Sequence, residues 1–116
     1  MPTELDLKRL QALQEALEAE PAEIAATLQG ELERALAQID AALQAGDMPM
    51  IVEVAHAARN SALVIDARPV LADLGELEGY ARRGDPEGAA SARKRLGDSW
   101  QALRARLAEI AAKTAL

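Results

Sequence analysis

An all-helical domain is what this sequence predicts, on three observations. Half of the 116 residues are apolar, yet there is no Phe, one Trp and one Tyr, so a core has to be built from Leu, Ile, Val and Ala. Ala and Leu, with Glu, Gln and Arg, are the strongest helix formers, while the β-branched and aromatic residues that favour strands are few. Apolar residues also recur at spacings of three and four, the period of a helix with one buried face. A chain of this length is expected to be one domain, residues 1–116, large enough for a single core without staples.

The first helix is expected from about Glu4 to Ala19, with Thr3 as N-cap, Asp6 completing an imperfect capping box, and Leu10, Leu13 and Leu17 as its apolar stripe. Pro21 suits the first position of a second helix, in which Ile24, Leu28, Leu32, Ala35, Leu36, Ile39 and Leu43 keep the helical period until Gly46. In "GDMP" the chain stops and restarts, Asp47 or Met48 capping a third helix that runs from near Pro49 to about Val64. Asp66 and "ARP" mark the next break, with Asp66 as an N-cap. A fourth helix, about Pro69 to Arg83, carries Val70, Leu71, Leu74, Leu77 and Ala81; Arg82 and Arg83 suit its negative end, and Gly84 its left-handed cap. Asp85 and Pro86 open a fifth helix with Ala89, Ala92, Leu96, Leu103, Leu107 and Ile110 on one face and Trp100 at its edge. Short loops between long amphipathic helices force antiparallel neighbours. The expected architecture is an antiparallel up-down four-helix bundle with an additional short N-terminal helix.

Several function classes are set aside by composition. Without cysteine there is no disulfide or thiolate metal site, and one histidine among scattered carboxylates gives no zinc-ligand spacing. No metal and no cofactor are expected. No segment approaches the ~20 apolar residues that span a bilayer, so a cytoplasmic protein with no membrane contact is expected. A net charge of −6 argues against nucleic acid, which is bound by clustered Lys and Arg. The charge is uneven: residues 1–50 carry ten acids against three bases, residues 51–116 nine against ten. Anionic chemistry belongs in the second half.

The only histidine, His56, sits in the alanine-rich third helix. At ~100° per residue, Ile51, Val54, Ala55, Ala58, Ala62 and Ile65 fall within ~50° of one direction, the core stripe. His56 lies ~140° from it, Asn60 ~180° and Arg59 ~80°, so the imidazole is expected to face solvent. Val52 and Leu63 also point away from the core, at ~100° and ~120°, and two apolar residues bracketing an exposed imidazole make a docking patch. Imidazole is a competent nucleophile near neutral pH. A phosphorylated imidazole needs a cation one turn away, small neighbours that let a partner approach, and an apolar rim. Arg59 at i+3, the cluster of Ala57, Ala58, Ser61 and Ala62, and Val52 with Leu63 supply them.

The stretch "VEVAHAARNSALVIDARPVLADLGELEGYARRGD" resembles the histidine-containing phosphotransfer (HPt) domain of multistep two-component phosphorelays. That family shows an apolar run, then H-x-hydrophobic-K-G-small-small, a G-A pair ten residues after the histidine, an L-E pair near the end of the next helix, and a Gly- and Asp-rich turn. The "LQAGD" turn before the histidine helix and the Trp of the last helix extend the likeness to nearly the whole chain. The resemblance implies a four-helix bundle and a phosphocarrier more than an enzyme. On this reading His56 accepts a phosphoryl group from the aspartate of one receiver domain and passes it to another. The receivers, of response regulators or hybrid sensor kinases, would be the partners and would contribute the acidic pocket and Mg²⁺.

Carried over residue by residue, Arg59 replaces the family Lys and would stabilise the phosphoryl group, and Ala58 replaces a larger apolar residue. Asn60 stands where the family has Gly, either crowding the receiver or hydrogen-bonding the phosphoryl group. Asp66 replaces the Gly of the G-A pair. Glu78, in the L-E pair, either hydrogen-bonds the imidazole and fixes its tautomer or is a solvated side chain, which the sequence favours. Val52, Ser61 and Leu63 would contact the receiver. Two rivals stay open: a receiver-binding adaptor that has lost phosphotransfer, motivated by Asn60, and a structural helical-bundle interaction protein in which His56 is incidental.

Overall fold

A computed structural model describes residues 21–64 and 67–114 of the chain. Within them four helices follow one another: α1 (Pro21–Ala45), α2 (Met48–Val64), α3 (Arg68–Arg82) and α4 (Pro86–Thr114). The all-α bundle that the sequence predicts is the architecture observed. The helix expected over residues 4–19 lies outside the described residues, as do Ile65 and Asp66.

Two of the three turns use the same device. Gly46 and Gly84 take φ of 69° and 68°, the left-handed conformation that glycine adopts without a Cβ penalty. Each closes a Schellman motif: Gly46 N–H donates to the Leu43 carbonyl and Asp47 N–H to that of Ala42, at 3.2 and 2.9 Å, and Gly84 and Asp85 donate likewise to Ala81 and Tyr80, both at 3.0 Å. The aspartate that follows each glycine then caps the next helix. Asp47 Oδ1 accepts from Met50 N–H at 3.2 Å, and Asp85 Oδ1 from Gly88 N–H at 3.0 Å. A Gly-Asp pair therefore ends one helix and starts the next, fixing α2 relative to α1 and α4 relative to α3. Asp47→Ala is expected to lower stability by about 1 kcal/mol, read by urea unfolding; an unchanged midpoint would show that water serves the α2 N-terminus equally well.

At the α2–α3 turn Ala67 N–H donates to the Ala62 carbonyl at 3.0 Å. Ala67 is the N-cap residue of α3; it makes no side-chain cap bond, and Pro69 follows in the first turn. Ala67 is fully buried. Asp66, to which the sequence gives this capping role, lies outside the described residues.

In the bundle α2 packs against α1 and α3, and α4 against the same two helices. Ile39, Ile51, Val70, Leu74, Leu77, Leu96, Leu103 and Leu107 form the fully buried centre. Trp100, expected at the edge of its face, is buried as well: its indole reaches inward beside Leu32, Leu36, Ala58 and Val70. A single-helix wheel ranks direction but not reach, and the broadest side chain in the chain crosses the seam. On α2 four residues of the expected stripe, Ile51, Ala55, Ala58 and Ala62, are buried and Val54 is half-buried, while Ile65 lies outside the described residues. Alanines on that stripe let the helix lie close to its neighbours, and they leave its opposite face to the functional residues.

Candidate functional site

The alanine stripe fixes the rotation of α2 and turns His56 outward. Its side chain is 61% exposed, and Ala57, Arg59 and Asn60 beside it are also exposed. Leu63, two turns on, is 56% exposed. The sequence expectation for the imidazole holds: it projects from the bundle among small neighbours.

Glu78, on α3, is where the structure departs most from expectation. Its side chain is only 7% exposed, so the solvated reading is overturned. Arg82, one turn along α3, donates to Glu78 Oε2 from Nη2 at 2.6 Å and from Nε at 3.1 Å. Across the helix seam Arg59 Nη1 donates to Oε1 at 3.2 Å. His56 Nδ1 stands 3.6 Å from Oε2, an electrostatic contact longer than a hydrogen bond. One carboxylate thus collects two guanidiniums and the imidazole.

Burial by itself would push the Glu78 carboxyl up, by disfavouring its charged form. The hydrogen bonds from Arg82 and Arg59, with the charges of Arg82 and His56, outweigh that and hold it below its ordinary value. A carboxylate ionised at neutral pH beside Nδ1 favours the tautomer with its proton on Nδ1, which leaves the Nε2 lone pair on the side away from α3. The site therefore offers a nucleophilic nitrogen to solvent, a fixed anion behind the ring, and two cations at its flank.

No family model matches the chain, and no curated protein does. Among solved structures the chain is similar to histidine-containing phosphotransfer protein B from Pseudomonas aeruginosa, at 26% identity over 97% of this chain and 98% of that one, with a TM-score of 0.88. The chain has the fold of an HPt domain. The family likeness carried by residues 52–85 and the backbone of the whole bundle agree.

The other predicted residues of this chain divide between two sides of α2. Val52 is half-buried and packs on the core margin, in a shallow hollow with Met48, Pro49, Ala81, Arg82 and Gly84. The expectation of a free apolar side chain is corrected there: Ala81 and Gly84 of the α3 end leave a seat for it. Ser61 turns towards α1, where its hydroxyl donates to Glu31 Oε2 at 3.1 Å. It lines a separate groove with Ala57, Gln38 and Met50, so it does not join His56, Arg59 and Leu63. Arg82 is the member that sequence reading missed, having been assigned to the helix dipole. The signal was present: Glu78 and Arg82 are an i,i+4 pair with the acid first, the favourable order. Among the described residues no group of His, Asp and Glu is placed to hold a metal ion, and no helix is long and apolar enough to cross a membrane.

Proposed function

We propose that this HPt domain is a phosphocarrier of a two-component phosphorelay, with His56 as the phosphoacceptor between receiver domains. The observation that carries the reading is the lone exposed imidazole of an HPt-fold chain, backed through Nδ1 by a buried carboxylate. In the transfer, Nε2 attacks the phosphorus of a receiver's aspartyl phosphate. The phosphorus–nitrogen bond forms, the acyl phosphorus–oxygen bond breaks, and its electron pair leaves with the aspartate carboxylate. The ring keeps its Nδ1 proton and becomes a cation opposite Glu78. Handing the group to a second receiver reverses these steps.

Each residue has a role in that scheme. Arg59, one turn from His56, is set to meet the phosphoryl oxygens, with donors left over from its single bond to Glu78. The receiver docks along α2, with Leu63 on one side of the ring and the Val52 hollow on the other. Ser61 lies off this path. The test is incubation with a receiver phosphorylated on its aspartate, followed by chemical challenge of the label. A phosphoramidate survives alkali and is lost in acid; a label with the opposite stability belongs to another side chain and refutes the assignment.

Asn60 supports a second reading, a receiver-binding adaptor, because its exposed side chain stands one turn from His56 on the docking side. Asn60→Gly is expected to raise the transfer rate several-fold by opening that approach. A protein as silent with glycine as with asparagine would instead be the adaptor.

A further inference from the structure

We propose that Arg82 is a positioning residue of this site: as the standing partner of Glu78, it releases the Arg59 guanidinium to move onto a phosphoryl group carried by His56. The proposal rests on His56 as the phosphoacceptor and adds a residue that touches neither the imidazole nor the phosphoryl group.

The division of the Glu78 oxygens is the ground for it. Oε2 takes two bonds from Arg82, at 2.6 and 3.1 Å, and is the oxygen that faces His56 Nδ1. Oε1 takes one bond, from Arg59 at 3.2 Å. The short forked pair is the firm contact and the single longer bond the labile one. Arg59 is three residues from His56 on the same helix, close enough for its flexible stem to serve either anion. A phosphoryl group on Nε2 brings a second anion to the solvent side of the ring, opposite Glu78, and competes for Arg59.

Arg59 can answer only if Glu78 survives its departure. An almost buried carboxylate stripped of its hydrogen bonds is strongly disfavoured, so with Arg59 as sole partner Glu78 would hold it fast. With Arg82 seated on Oε2, the carboxylate stays ionised and bonded, and it remains opposite the Nδ1 proton of the phosphorylated ring. Arg82 therefore acts through Glu78 and Arg59 in series.

Potassium phosphoramidate is the probe, since it labels without any receiver: its phosphorus–nitrogen bond breaks, the electron pair leaves with ammonia, and the Nε2–phosphorus bond forms. Arg59→Ala and Arg82→Ala are each expected to slow the labelling of His56 by roughly threefold to tenfold, while the double variant is no slower than Arg59→Ala alone. Arg82→Lys, which keeps the charge and tests the proposal should the alanine variant misfold, is expected to restore most of the rate. In nitrogen-15 NMR the Arg59 Nε–H signal should shift on phosphorylation of the wild type and stay in place in Arg82→Ala. Single effects that multiply in the double variant, or an Arg82→Ala protein labelled at the wild-type rate, overturn the role of Arg82 and leave His56 as acceptor untouched. A wild type that takes no label at His56 overturns both.

Discussion

Replacing His56 with Gln is expected to abolish acceptance of an acid-labile phosphoryl group while leaving the bundle as stable as before. The loss should be complete, because the chain holds no second histidine. Ser61, the nearest hydroxyl on the helix, is turned towards Glu31, and its ester would be stable in acid. Stability should change by less than about 0.5 kcal/mol, since the imidazole is mostly exposed and makes no hydrogen bond that folding depends on. Its one close polar neighbour, Glu78 Oε2, keeps both bonds from Arg82. Two measurements on one preparation check this: label after treatment with a phosphorylated receiver, and the thermal midpoint. Acid-labile label retained by the variant would remove His56 from the chemistry. A lowered midpoint with the label lost would point to a structural histidine.

What the sequence makes legible follows the range of the physics involved. Helix limits at Gly46-Asp47 and Gly84-Asp85 are set within a few residues, by left-handed glycines and aspartate caps, and reading them needs no tertiary information. The outward turn of His56 is legible for a related reason: the alanine stripe that fixes the rotation of α2 lies on the same helix. Glu78 is different. Its position beside Leu77 and Ala81 only places it near the core margin, and one of its partners, Arg59, comes from nineteen residues away across the α2–α3 seam. Periodicity along one helix cannot register a partner supplied by another. Val52 and Trp100 diverge from expectation in the same way. Each lies off the core direction on its own helix, yet each is covered, Val52 where Ala81 and Gly84 make room and Trp100 through the reach of its ring. Ser61 shows the converse: it is close to His56 in sequence and far from it around the helix.

Glu78→Gln is expected to cost about 2 kcal/mol at neutral pH, the scale of hydrogen bonds to a charged group, and to do so in a pH-dependent way that identifies the cause. Glutamine keeps the volume and an acceptor oxygen but removes the charge that holds Arg82 and Arg59 together. The wild-type carboxyl is raised by burial and lowered further by the two arginines and His56, for a net pKa below its ordinary value. A group depressed in this way binds a proton less readily in the folded protein than in the unfolded chain. Its stabilisation is therefore present in full above the unfolded value, about 4.3, and is lost as the pH falls through the lower folded one. Wild type and variant should differ most from neutral pH down to about pH 5, and the gap should close as the pH falls through the lowered folded value, because a protonated glutamate and a glutamine are then nearly equivalent. Taking the difference between the two proteins removes the contribution of every other carboxylate, which titrates alike in both. Urea unfolding at a series of pH values reads it directly. A gap that stayed constant into the acid range would mean that shape rather than charge joins α2 to α3 at this point, and the ionised carboxylate behind the imidazole would lose its support.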